Sequence, residues 1–192
     1  MKHSTVNYFV IVPAAGTGTR MQTDTPKQYL SLRGKKIIEY TLTTLLSYEK
    51  FKKCIVALNK EDKYWPALQL KHPHLRTVYG GKERCHSVFN ALLALKTLAK
   101  KNDWILVHDA VRPLLQHSDI NKLINDIADH PIGGFLANPL KNTVKYFDDK
   151  QILKTLDRKK VWQALTPQMF RYHWLVNALD SVIKKNQFIT DD

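Results

Sequence analysis

Arg20, Lys27, Asp109 and Arg112 are charged residues set among neighbours that suit phosphate chemistry. The apolar run Phe9-Val10-Ile11-Val12 passes directly into Pro13-Ala14-Ala15-Gly16-Thr17-Gly18-Thr19-Arg20, and Pro26-Lys27-Gln28 follows. Small residues let the backbone come close to a phosphate and a base, and glycine tolerates the angles that turn successive N–H groups to one side. Arg20 and Lys27 add two permanent positive charges of different shape, one a planar fork and one a movable point charge. The pattern predicts an anion cradle for a nucleoside triphosphate. A Gly-x-Gly after a strand is by itself an ordinary turn; here no third glycine makes it the dinucleotide fingerprint, and no Gly-Lys-Ser/Thr makes it a P-loop.

Two later segments carry further candidates. Gly80-Gly81-Lys82-Glu83-Arg84-Cys85-His86-Ser87 sets two glycines at a strand end, where a flat backbone can lie against a base edge. Ser87, in the first turn of a helix, can aim a hydroxyl at a ring nitrogen or carbonyl. In His108-Asp109-Ala110-Val111-Arg112-Pro113, a strand-end carboxylate is suited to Mg²⁺, which takes one or two protein carboxylates and completes its shell with phosphate oxygens and water. Asp109 is therefore the candidate metal ligand, with a turn cap as its plainer reading. Arg112 matches a second phosphate through paired hydrogen bonds. His108 reads as a packing or supporting residue.

These residues need elements to place them. Residues 6–13 read as a short buried strand, 53–58 as the next, 76–79 as a third, 104–108 as a fourth and 133–137 as a fifth. Helical spacing recurs over 37–46, 61–70 with an interruption near Pro66, 84–98, 118–129 with Ser118 as N-cap, and 169–185. Alternation of this kind predicts an α/β fold, a doubly wound, mostly parallel sheet with helices on both faces. In such sheets ligands bind beyond the carboxyl ends of the strands, where strand order reverses, so the three segments are expected to converge on one crevice. Residues 138–162 read differently, as a β-hairpin arm with a turn at Asp148-Asp149-Lys150. A two-stranded hairpin is marginal alone and must pack on something.

Composition bounds the class. A chain of 192 residues with 44% apolar and 10% aromatic residues is expected to form one domain, 1–192, with the arm inside it. No apolar run approaches the roughly 20 residues that span a bilayer, and Met1-Lys2-His3-Ser4 leads into no signal-peptide core. No membrane association is expected. Cys54 and Cys85 lack paired spacing and suggest reduced thiols in a cytoplasm. The net charge of +13 can mark nucleic-acid binding, an anionic membrane surface or a field that attracts phosphorylated substrates, but the basic residues are scattered as lysine pairs of the kind that form a solvated surface. No nucleic-acid partner is expected, since no RNA-binding aromatic motif or long basic arm is present.

The Pro-Ala-Ala-Gly segment with Pro-Lys-Gln-Tyr-Leu resembles the nucleotidyltransferases that make nucleoside-diphosphate sugars and alcohols, the cytidylyl branch in particular. Together with the Gly-Gly…Arg…Ser, His-Asp-Ala-Val-Arg-Pro and Thr166-Pro167-Gln168 segments, it is similar to the methylerythritol-phosphate cytidylyltransferase family from about Phe9 onward. The resemblance implies a Rossmann-like nucleotidyltransferase fold and a Mg²⁺-dependent cytidylyl transfer from CTP to 2-C-methyl-D-erythritol 4-phosphate. It also implies a role in non-mevalonate isoprenoid synthesis. It implies that Arg20 and Lys27 are catalytic and that Ala14, Ala15, Gly16, Thr17, Gly18, Gly80, Gly81, Ser87 and Ala110 bind the nucleotide. Asp109, Arg112, Thr143, Arg158, Thr166 and Thr190 would meet the acceptor, with Asp109 also holding the metal. Lys82 stands where relatives carry aspartate, and Val111 where they carry alanine. The arm is expected to embrace a second subunit in a homodimer. Relatives continue for about another 40 residues, with a substrate-binding lysine and a closing helix, so a fragment or a shortened enzyme is expected. Two other readings compete: a cytidylyltransferase for ribitol phosphate or another polyol phosphate, and a non-catalytic nucleotide- or RNA-binding protein.

Overall fold

Apolar residues alternate their faces along β1 (Tyr8–Ala14), and that alternation organises the molecule. The computed structural model describes residues 6–16 and 25–187. Val10 and Val12 join one buried cluster while Phe9 and Ile11 join another, so the strand carries a core on each side. After a 3₁₀ turn at Lys27–Tyr29 come the short strands β2 (Ser31–Leu32) and β3 (Lys35–Lys36), then α1 (Ile37–Leu46). β4 (Phe51–Leu58), β5 (Leu75–Tyr79), α2 (Arg84–Ala94), β6 (Trp104–Val107) and α3 (His117–Ile127) continue the alternation. β7 (Gly133–Pro139), β8 (Val144–Asp148), β9 (Gln151–Leu156), β10 (Trp162–Arg171) and α4 (Tyr172–Lys184) complete it.

The main sheet runs β5-β4-β1-β6-β10-β7. β5, β4, β1 and β6 are parallel, and β10 runs antiparallel to both its neighbours. α1 and α3 cover one face, with Ile38, Leu42, Leu45, Ile120, Leu123 and Ile124 buried against Val56, Leu106 and Met169. α2 and α4 cover the other, where Val88, Leu92, Leu95, Leu175 and Leu179 meet Ile55, Ile105 and Val107. Each such side chain, taken fully out of water, contributes about 1.5–3 kcal/mol relative to exposure. The expected doubly wound, mostly parallel sheet is thus present. From β1 the chain adds β4 and β5 to one side, then returns to place β6 on the other, so strand order reverses between β1 and β6.

Several expected boundaries differ. Residues 61–70 form no α-helix: Asp62 accepts from the backbone N–H groups of Tyr64 and Trp65, and only a 3₁₀ turn follows at Trp65–Leu68. α2 stops at Ala94 because the chain tightens into i→i−3 bonds, Leu95 to Leu92 and Leu98 to Leu95. α3 is capped at Gln116, not Ser118, and the Gln116 N–H donates to the Asp119 carboxylate at 3.0 Å. Met169 to Arg171, expected to open the last helix, instead pair with Leu106 to Trp104 as the end of β10. The hairpin itself is narrower than 138–162, since Asn138 and Pro139 close β7 and Trp162 opens β10. β8 and β9 form a separate two-stranded sheet, with Tyr146, Phe147, Ile152 and Leu153 all more than half exposed. Among the described residues no helix is long and apolar enough to cross a membrane.

Candidate active site

The carboxyl end of β1 turns away at Pro13-Ala14-Ala15-Gly16, and two side chains from other segments fix that turn. Nε2 of the buried Gln28 donates to the carbonyl oxygens of Ala14 at 3.0 Å and Gly16 at 3.1 Å. Asn59, just past β4, reaches the Ala15 carbonyl at 3.4 Å. Spending carbonyls on internal bonds holds the backbone in one shape. Lys27 precedes Gln28 in the 3₁₀ turn, and its exposed side chain lines the cavity beside the turn. Thr17, Gly18 and Arg20 lie outside the described residues, as does Thr190.

The turn after β5 comes against the first. Gly80 donates its N–H to Leu58 at 2.7 Å, and a Cβ placed on it would lie 2.5 Å from the Ala15 Cβ and 2.7 Å from the Ser87 hydroxyl. Only glycine fits an approach this close. The Ser87 Oγ accepts from the Gly81 N–H at 3.1 Å and donates to the Glu83 carbonyl at 3.1 Å, so the buried hydroxyl closes the turn from within. Reading a base through that hydrogen would mean giving up the Glu83 bond.

The segment after β6 brings the opposite wall. Thr41 of α1 donates to the carbonyl of buried Ala110 at 3.0 Å, which anchors the loop to the core. Asp109 receives Arg84 on Oδ1 at 3.2 Å and Arg112 on Oδ2 at 2.9 Å. Burial works to raise the Asp109 pKa, but the Arg112 hydrogen bond and the charges of both arginines outweigh it and leave the carboxyl below its ordinary range. His108 is buried, with Nδ1 3.0 Å from the Thr166 Oγ1 and Nε2 3.0 Å from the Arg112 carbonyl oxygen. Burial lowers its pKa despite that carbonyl and the Asp109 charge, which favours the neutral ring. The Asp109 N–H also donates to Thr166 Oγ1 at 3.4 Å. Thr166 arrives from β10, where the pairing with β7 slips between Ala164 and Gln168.

These walls enclose a cavity of about 500 Å³, lined by Ala14, Ala15, Gly16, Lys27, Gly81, Ser87, Asp109, Ala110, Arg112 and Thr166 among others. The expected convergence at the strand-order reversal is therefore met. Thr143 and Arg158 are exposed, lie on or beside the hairpin and do not line the cavity; Arg158 donates to the Lys141 carbonyl at 2.8 Å. Arg84 and Gln28 stand inside the motif segments but were assigned no role of their own from the sequence. An arginine in the first turn of a helix opposes the helix dipole, a signal that its charge serves a partner elsewhere. Gln28 gave only its place beside Lys27.

The family model described as IspD: 2-C-methyl-D-erythritol 4-phosphate cytidylyltransferase matches residues 8–192. The enzyme of that name from Pseudomonas syringae pv. syringae (strain B728a) is 46% identical over 195 residues, covering 100% of this chain and 83% of that protein. That from Vibrio vulnificus (strain YJ016) is 43% identical over 194 residues, covering 100% and 82%. The crystal structure of the Francisella tularensis enzyme superposes with a TM-score of 0.80 at 36% identity, covering 94% of this chain and 79% of that one. Matches along the whole chain, to sequences and to a solved fold alike, show that it belongs to the 2-C-methyl-D-erythritol 4-phosphate cytidylyltransferase family.

Proposed function

We propose that this chain transfers a cytidylyl group from CTP to 2-C-methyl-D-erythritol 4-phosphate, giving 4-diphosphocytidyl-2-C-methyl-D-erythritol and pyrophosphate. The observation that carries the reading is one cavity, in a chain of this family, that joins a backbone cradle to Lys27 on one side and to Asp109, Arg112 and Thr166 on the other. A phosphate oxygen of the acceptor attacks the α-phosphorus of CTP and the bond to pyrophosphate breaks. A phosphate monoester is already largely dianionic at neutral pH, so no general base is needed. Catalysis is then positioning and neutralisation of a crowded anionic centre. Lys27, with Arg20, stabilises charge developing on the α-phosphate and the leaving group. Gly80, Gly81 and Ser87 shape the base end, and Arg112 receives the acceptor phosphate while Asp109 and Thr166 hold Arg112 and the loop in place.

Asp109 suits Mg²⁺ in one respect: it is an ionised carboxylate on the cavity wall, and while its Oδ1 accepts both Nε and Nη2 of Arg84, its Oδ2 meets Arg112 with one of its two lone pairs. We assign it as the protein ligand, with phosphate oxygens and water completing the shell; bound there, the ion would offset phosphate charge. The exposed apolar hairpin supports a homodimer in which the arm carries Thr143 and Arg158 to the partner's acceptor site. Cys54 and Cys85, both buried and both in the thiol form, suit a reducing cytoplasm.

The test is pyrophosphate release from CTP with 2-C-methyl-D-erythritol 4-phosphate in the presence of magnesium, run in competition with ribitol phosphate. Release driven by the methylerythritol phosphate is expected. Preference for ribitol phosphate would reassign the acceptor, and no release with any polyol phosphate would remove the reading.

A further inference from the structure

Outside the cavity's phosphate-facing wall, the start of α2 gathers three different metal-binding side chains. Glu83, Cys85 and His86 place a carboxylate oxygen, a thiol sulfur and an imidazole nitrogen within 4.8 Å of one another. The Cys85 Sγ lies 3.7 Å from the Glu83 Oε2 and 3.6 Å from the His86 Nδ1. A tetrahedral zinc ion, with bonds of about 2.3 Å to sulfur and about 2.0 Å to nitrogen or oxygen, sets sulfur about 3.5 Å from its neighbouring ligand atoms and nitrogen about 3.3 Å from oxygen. The two spacings from the sulfur lie slightly above that value, and all three ligand atoms stay within 4.8 Å of one another.

The local electrostatics fit as well. Arg84, between these residues in sequence, turns its guanidinium to Asp109. A thiolate and a carboxylate at a helix N-terminus are favoured by the helix dipole, and together they balance the charge of a divalent ion. Thiolate with imidazole selects a zinc-class ion, whereas Mg²⁺ takes oxygen ligands. The site is thus chemically distinct from Asp109. We infer that Glu83, Cys85 and His86 form a binding site for a zinc-class divalent cation at the rim of the nucleotide cavity. Binding releases the Cys85 thiol proton to water, forms the sulfur–metal bond, and leaves a fourth position for water.

Cobalt(II) is the probe, because a thiolate ligand gives it an intense near-ultraviolet charge-transfer band and tetrahedral geometry gives visible absorption. Cys85 is the thiol that band would report, since burial pushes Cys54, the other one, up to about 12. One equivalent of cobalt(II) added to the untagged protein is expected to give both signals, and one equivalent of zinc to abolish them. Cys85→Ser should lose the charge-transfer band, and His86→Ala should lose the tetrahedral spectrum, each with an unchanged far-ultraviolet circular dichroism spectrum. Absence of the thiolate band in the wild type, or its persistence in Cys85→Ser, would overturn the site.

Discussion

Asp109 and Arg112 form an ion pair of 2.9 Å within one turn after β6, and Arg84 completes it from the start of α2. One carboxylate therefore orients two guanidiniums that come from different elements. Asp109→Asn is expected to lower kcat/KM about tenfold or more, since a hydrogen bond to a charged group contributes about 1.5–3 kcal/mol. Steady-state pyrophosphate release at varied acceptor concentration checks this; unchanged kinetics would mean that the arginines hold their places unaided.

Lys27 is exposed yet lines the cavity, which fits a residue kept free for a ligand. Lys27→Ala should reduce turnover ~10²-fold or more, the scale for losing one preorganised charge-stabilising group. Turnover near the wild-type value would take Lys27 out of the mechanism.

Gly80 touches both the β1 turn and Ser87. Gly80→Ala forces a methyl group against the Ala15 Cβ and the Ser87 Oγ, and is expected to cost about 1–3 kcal/mol of stability as an overpacked site. Urea denaturation measures the cost, and the KM for CTP should rise in the same variant. A wild-type urea midpoint would show that the two turns can part.

His108 sets a pH dependence. Its folded pKa lies below the ordinary 6.5, so as pH falls through about 6.5 the unfolded chain takes up a proton that the native ring refuses. Stability should therefore drop as pH is lowered from about 7 to about 5, and His108→Gln should flatten that slope. Asp109, whose folded pKa is depressed, adds stability that is present above the ordinary carboxylate range and lost only at lower pH. Equal slopes for wild type and variant would remove His108 as the cause.

The hairpin supplies a test of assembly. Phe147 and Ile152 face each other in its register and are 55% and 57% exposed, so they are free to bury area against another subunit. Ile152→Asp should shift sedimentation from dimer to monomer and lower turnover with it. A wild-type chain that sediments as a monomer at working concentration would refute the dimer.

Local pattern determined much of this protein. Alternation in Phe9 to Val12 specified a strand buried on both faces, and the stripe through Val88, Leu92 and Leu95 specified α2, because side-chain periodicity follows from backbone geometry alone. The cradle, the double glycine and the Asp109 loop were legible because each follows a strand end. What tertiary structure decided was pairing at long range. Met169 to Arg171 are strand because β6 and β7 offer them hydrogen-bonding edges, which no local spacing reveals. Likewise Arg84 meets Asp109, and His108 meets Thr166, only once α2, β6 and β10 stand side by side. A contact between distant residues is an outcome of packing, so the sequence named the groups and the fold chose their partners.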